Sequence, residues 1–141
     1  MQGHYREPSV IIGVDFDGTI TEQDAYPNVA NQRDNAIYQI NRLYDMGYGI
    51  VINTLREGVT LGNAIEWMNE NGLKYDWVNC NFPHLVEKFK SDARKISATI
   101  YVDDRNLGGL PHWDDIFTQI VKEHGRHIED LRPKMTNDGK F

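Results

Sequence analysis

Three short segments of this chain set acids and small polar residues directly behind apolar runs. Asp15-Phe16-Asp17-Gly18-Thr19 follows the run 10–14, Asn53-Thr54-Leu55-Arg56 follows 49–52, and Asp103-Asp104-Arg105-Asn106 follows 98–102. If each run is a strand of one open parallel sheet, all three segments lie at its carboxyl edge, where such sheets bind ligands. The carboxylates of Asp15, Asp17, Asp103 and Asp104 then converge. Within a few ångströms of one another they repel, and each raises the pKa of the next unless a cation neutralises them. Carboxylate, carbonyl and water ligands suit a hard divalent ion such as Mg²⁺, which keeps several waters and shares its site with a substrate phosphate.

The elements that must position these residues are legible in the hydrophobic pattern. Val10, Ile11, Ile12 and Val14 form a nearly unbroken β-branched run, which predicts a strand over 9–15 buried on both faces and hence a parallel sheet. Ala36, Ile37, Ile40, Leu43 and Tyr44 recur at helical spacing and predict a helix over 33–46 that Gly47 closes. A second buried strand is expected over 49–54 (GIVINT). An amphipathic helix through Leu61, Ala64, Ile65 and Met68 should follow, stopped by Asn71 and Gly72. A short strand fits 75–79, a polar stretch with Pro83 is ambiguous, and a last strand fits 98–102 (ATIYV). Pro111 suggests the start of a helix whose apolar face is Trp113, Ile116, Phe117, Ile120 and Val121, ending near Gly125. Trp67 and Trp113 read as helix faces covering the sheet. Alternating strands and helices imply right-handed βαβ units. The expected architecture is one Rossmann-like, three-layer α/β/α domain over 1–124 with a mainly parallel sheet, and a polar C-terminal extension over 125–141 that is helical only briefly and then mobile.

Size and composition agree with that reading. The chain has 141 residues, 40% of them hydrophobic and 26% charged, enough for one core and no second domain. Fifteen Lys and Arg against 21 Asp and Glu give a net charge of -6, the wrong sign for tracking an extended nucleic acid. No apolar stretch approaches the roughly 18 residues a membrane span needs. Residues 3–9 are polar, and the apolar run behind them stops at Asp15, unlike a signal peptide, so the expected location is the cytoplasm. One cysteine, Cys80, excludes an internal disulfide and reads as a small buried hydrophobe. His124 and His127, at helical spacing, read as a surface pair, and Asn106 with Gly108 and Gly109 as a turn supporting the acidic pair.

The segment IIGVDFDGT resembles the first motif of the haloacid dehalogenase-like superfamily, a hydrophobic strand followed by DxDGT. In a chain of this length those four fixed letters arise by accident with odds of roughly one in a thousand. Thr54 is similar to the family's second motif, a Ser or Thr closing strand two, and Asp103-Asp104 to its fourth, an acidic pair closing strand four. The third motif is a lysine upstream of that pair. Lys95 is the best placed, with Lys88 and Lys90 as further candidates. The resemblance spans about 10–111, and KISATIYVDDRNLGGLP looks like a subgroup of small, capless members.

What the resemblance implies is a Mg²⁺-dependent phosphatase acting through an aspartyl-phosphate. Asp15 would be the nucleophile, Asp17 the proton carrier, Thr54 a hydrogen-bond donor to a transferring oxygen, and Lys95 a neutraliser of developing charge. The metal would be held by Asp15, by the main-chain carbonyl of Asp17, and by Asp103 or Asp104. Gly18 lets the turn pass close to the phosphate, and the backbone N–H groups of Phe16 and Asp17 can face its oxygens. Arg56, on the same rim, reads equally as a binder of phosphate or leaving group and as a structural ion pair, while Arg105 reads as a partner for a neighbouring acid. Only residues 21–32 separate the catalytic turn from the first helix, too few for a cap domain. An open site fits phosphorylated small molecules or exposed macromolecular phosphates, or needs a second copy as a lid. Two further readings compete: a noncatalytic, receiver-like phospho-switch, whose acids are bunched differently and need no proton carrier two residues beyond the phosphorylated aspartate, and a phosphatase of nucleic-acid ends.

Overall fold

The structure, a computed structural model, describes residues 6–23, 25–89 and 96–131. Its elements run β1 (Ile11–Asp15), α1 (Ala36–Asp45), β2 (Gly49–Asn53), α2 (Gly58–Glu70), β3 (Trp77–Val78), α3 (Pro83–Phe89), β4 (Ile100–Val102) and α4 (Trp113–Leu131). The four strands form one all-parallel sheet in the order β3-β2-β1-β4. The chain builds outward from β1 to β3 and then crosses back to place β4 on β1's other side. The switch point therefore lies between β1 and β4, at the ends that carry Asp15 and the acidic pair.

Alternation along the strands splits the core. Ile12 and Val14 of β1, Ile50 and Ile52 of β2 and Val102 of β4 face a large cluster completed by Ile40 and Leu43 of α1, Met68 of α2, and Trp113, Ile116 and Ile120 of α4. Among the described residues, the opposite face sets Ile11 and Val51 against Phe82 and Ile96, with Trp77, Leu85 and Ala98 packed against them. Helices cover both faces of the sheet, and among the described residues the second cluster is the smaller. Glycines allow the close approach there. A Cβ on Gly49 would sit 2.6 Å from Pro8 and 2.9 Å from Phe82, inside contact distance.

The structure sharpens the pattern-based expectation in several places, and strands and helices are a few residues shorter than 9–15, 33–46, 75–79 and 98–102. The ambiguous stretch at Pro83 is α3, whose first residue has no N–H to leave unpaired, while Phe82 O accepts from the N–H groups of Leu85 and Val86 at 3.0 and 3.2 Å. Helix α2 begins at Gly58, three residues before Leu61. Helix α4 runs through Gly125 to Leu131 rather than stopping near Gly125. One interior glycine costs about 1 kcal/mol relative to alanine, too little to end a helix already anchored by Trp113, Ile116 and Ile120. Residues 132–141, where the mobile end was expected, lie outside the described residues. Among the described residues, no helix is long and apolar enough to cross a membrane.

Candidate active site

The parallel register sets Asp15 opposite Asn53, so Thr54 is the next residue beyond the strand that neighbours Asp15. Phe16 turns into the core, fully buried and edge-on to Trp67 with ring centroids 5.6 Å apart. Its carbonyl accepts from the N–H groups of Thr19, Ile20 and Thr21 at 3.3, 3.0 and 3.3 Å, which coils the next residues into one tight turn. Gly18, at φ +82, makes that turn possible, and its N–H is held by Thr21 Oγ1 at 3.0 Å. The turn drives Thr19 inward to complete burial. There its hydroxyl donates to Asp15 Oδ2 at 3.1 Å and accepts the Asp104 N–H at 2.9 Å, linking the ends of β1 and β4. Trp113 serves this link as well as the core, donating its indole N–H to Thr19 O at 3.0 Å.

The result is an acidic cluster. Asp15, Asp103 and Asp104 each bring a carboxylate oxygen within 4.8 Å of the others. Burial foremost, then the charge of Asp103, pushes Asp15 from 3.8 up to about 7, with Asp104 adding to the rise and the Thr19 hydroxyl opposing it. The donors are all hard oxygens held close at a cost in repulsion, which fits a hard divalent cation. Both members of the acidic pair reach the cluster. Asp103 Oδ1 accepts the Arg105 N–H at 2.9 Å, while the Asp104 carboxylate lies over Gly18, where a Cβ would come within 2.4 Å of Oδ2.

Asp15, Asp17, Thr54 and Asp103 line one open cavity of about 540 Å³. Thr54 is fixed at its rim by a residue that the sequence reading did not single out. Asn79, at φ 54, accepts the Thr54 N–H with Oδ1 and donates to the Thr54 carbonyl with Nδ2, both at 2.9 Å. An asparagine closing a strand before a left-handed turn is the signal that could have marked it. Asn53 and Tyr101 also line the cavity without having been singled out.

Two of the expected phosphate contacts are placed otherwise. The Phe16 N–H does not face the cavity; it continues the strand ladder by donating to Asn53 O at 3.1 Å. Arg56 does not extend over the rim. Its guanidinium is turned inward, 2% exposed, and grips Asp17 with Nε on Oδ2 at 2.8 Å and Nη2 on Oδ1 at 2.7 Å. Of its two readings, the structural ion pair is the one found. Arg105, expected to pair an acid through its side chain, instead lines the cavity. Lys95 and Lys90 lie outside the described residues, and Lys88, exposed on α3, is not among the residues lining this cavity.

Two measurements probe this geometry. Gly18→Ala should cost about 1 to 2 kcal/mol of stability for a left-handed residue bearing a Cβ, and should displace Asp104. In thermal melts it should lower Tm and remove any stabilisation by Mg²⁺. The second concerns pH. Between its unfolded value of 3.8 and about 7, folded Asp15 holds a proton that the unfolded chain has released, so the metal-free protein loses stability as pH climbs through that window. Added Mg²⁺ should therefore raise Tm more at pH 8 than at pH 5. Asp15→Asn should abolish that difference.

The fold and site together define an α/β protein with an oxygen-donor cluster at the switch point of a parallel sheet. Among solved structures, the chain is similar to the conserved protein coded by a locus from Bacteroides thetaiotaomicron, with 35% identity over 80% of this chain and 89% of that one and a TM-score of 0.70. The chain belongs to the family of that protein. A crystal structure of a target from Vibrio cholerae shares the fold at 22% identity and a TM-score of 0.50, covering 87% of this chain and 99% of that one. No protein-family model and no curated protein matches the chain.

Proposed function

We propose that this protein is a Mg²⁺-dependent phosphohydrolase of the haloacid dehalogenase-like type, cleaving phosphate monoesters through an aspartyl-phosphate on Asp15. The observation that carries the reading is the close meeting of Asp15, Asp103 and Asp104 beside a cavity that Asp17 and Thr54 also line. A carboxylate oxygen of Asp15 attacks phosphorus in line, and the ester oxygen departs with a proton from Asp17. Water then attacks the acyl phosphate, gives its proton to Asp17, and leaves as inorganic phosphate, restoring the Asp15 carboxylate. Thr54, its Oγ1 already accepting the Arg56 N–H at 3.1 Å, has its hydroxyl hydrogen to donate to a transferring oxygen. Mg²⁺ held by Asp15, Asp103, Asp104 and the Asp17 carbonyl would neutralise the cluster and draw the anionic substrate to it. Lys95 is assigned the charge-neutralising role by resemblance of sequence.

The open cavity suits phosphorylated small molecules or phosphates exposed on macromolecules, with a second copy as a lid where one is needed. The net charge of -6 disfavours extended nucleic acid. The single cysteine is compatible with a cytoplasmic setting. The test is phosphate release from an aryl phosphate and a panel of phosphorylated metabolites with Mg²⁺, using Asp15→Asn as control. Release that depends on Asp15 supports the reading. Stable, stoichiometric phosphorylation of Asp15 without turnover would point to a phospho-acceptor module instead, and release unaffected by Asp15→Asn would overturn the proposal.

A further inference from the structure

Arg56 is buried to 2% exposure, next to the cavity that Asp17 and Thr54 line, and its donors are turned away from solvent. Nε and Nη2 take the two oxygens of Asp17 at 2.8 and 2.7 Å, Nη1 takes Pro27 O and Thr60 O at 3.1 and 3.2 Å, and Nη2 also takes Asn28 O at 2.6 Å. The rings of Phe16 and Tyr26 lie 5.5 and 5.3 Å from the guanidinium carbon. Its own N–H meets Thr54 Oγ1. A phosphate-binding arginine needs donors facing its ligand, whereas this one is held by three carbonyls from residues 27, 28 and 60 and cannot follow a substrate. The part free to adjust is Asp17, a carboxylate on a short turn whose side chain is 15% exposed and lines the cavity.

We propose that Arg56 is a positioning residue for the proton carrier: its pinned guanidinium fork fixes the plane of the Asp17 carboxyl group at the cavity wall, so that the oxygen edge not used by Arg56, where the transferred proton is carried, faces the leaving-group oxygen. A planar fork binding both oxygens sets orientation as well as distance, which the single ammonium of a lysine cannot do. The inference rests on the phosphohydrolase reading and extends it to a residue whose guanidinium is held by Asp17 and by the carbonyls of Pro27, Asn28 and Thr60.

The test compares kcat/KM for an aryl and an alkyl phosphate in the full-length protein with Mg²⁺. Four proteins are used: unaltered, Asp17→Asn, Arg56→Lys and the double variant. A good aryl leaving group hardly needs a proton, and an alkyl one does. Arg56→Lys should lower the alkyl-to-aryl ratio of kcat/KM roughly tenfold, as Asp17→Asn does, because kcat/KM reports the transfer to Asp15 in which the leaving group departs. In the double variant Arg56→Lys should change the ratio no further. Equal losses on both esters, or an independent additional loss in the double variant, would overturn the positioning role. If Arg56→Lys shows no cooperative melt, Arg56→Gln takes its place; failure of both to fold would mark Arg56 as purely structural and also overturn it. No Asp15-dependent hydrolysis of either ester by the unaltered protein would instead remove the hydrolase reading, and this inference with it.

Discussion

Asp15→Asn is expected to abolish phosphate release, by at least about 10³-fold, or roughly 4 kcal/mol of transition-state stabilisation, while leaving a protein that folds at least as well as the original. An amide is a poor nucleophile toward phosphorus, so no covalent phosphate should accumulate at any pH. The same change removes one charge from a cluster in which burial and Asp103 already push Asp15 up to about 7. Above that pH the ionised Asp15 opposes folding, so the metal-free variant should melt higher than the unaltered protein at pH 8. Activity and stability thus move in opposite directions. Mass spectrometry of the quenched reaction, phosphate release and thermal melts of the same samples would check both arms. A variant that is inactive because it is unfolded would contradict the account.

Removal of divalent metal is expected to have an effect of comparable size. With chelator, hydrolysis of an aryl phosphate should fall by on the order of 10³-fold and return on adding Mg²⁺. Three carboxylates with oxygens within 4.8 Å repel an anionic ester unless their charge is neutralised. Ca²⁺ should restore activity poorly, because its larger and looser coordination would misplace the phosphoryl group relative to Asp15. Steady-state assays across metals check this, and undiminished turnover in excess chelator would refute the metal's role.

Much of this arrangement can be read from residue order. The β-branched runs of β1 and β2 announced buried parallel strands, and in such a sheet the residues behind the strands must share an edge. The approximate positions of Asp15, Thr54 and the Asp103-Asp104 pair follow from that alone. The helices of the large core face were visible because their apolar positions repeat at helical spacing. Helix α3 was not, since Pro83, His84, Glu87 and Lys88 interrupt any apolar stripe; among the described residues Leu85 packs it against the smaller cluster. The far end of α4 was misjudged because Gly125 looks like a stop in isolation, whereas tertiary anchoring near the helix start offsets its local cost.

The sequence by itself determined the class of fold, the edge on which the polar residues gather, and the presence of more acids there than can stand together unneutralised. Those properties depend on periodicity of 2 and 3.6 and on charge, which are local. Tertiary structure alone decided how the side chains are used. The Phe16 N–H went to the strand ladder and Arg56 turned inward to grip Asp17, because a buried N–H and a buried guanidinium must find partners wherever the packed chain offers them. Asn79 became the clamp on Thr54 through the same requirement. Thr19 came to bridge Asp15 and Asp104, residues 89 positions apart in the chain, only once β4 had paired with β1. Hydrogen-bond satisfaction is settled by three-dimensional proximity, which no spacing along the chain encodes.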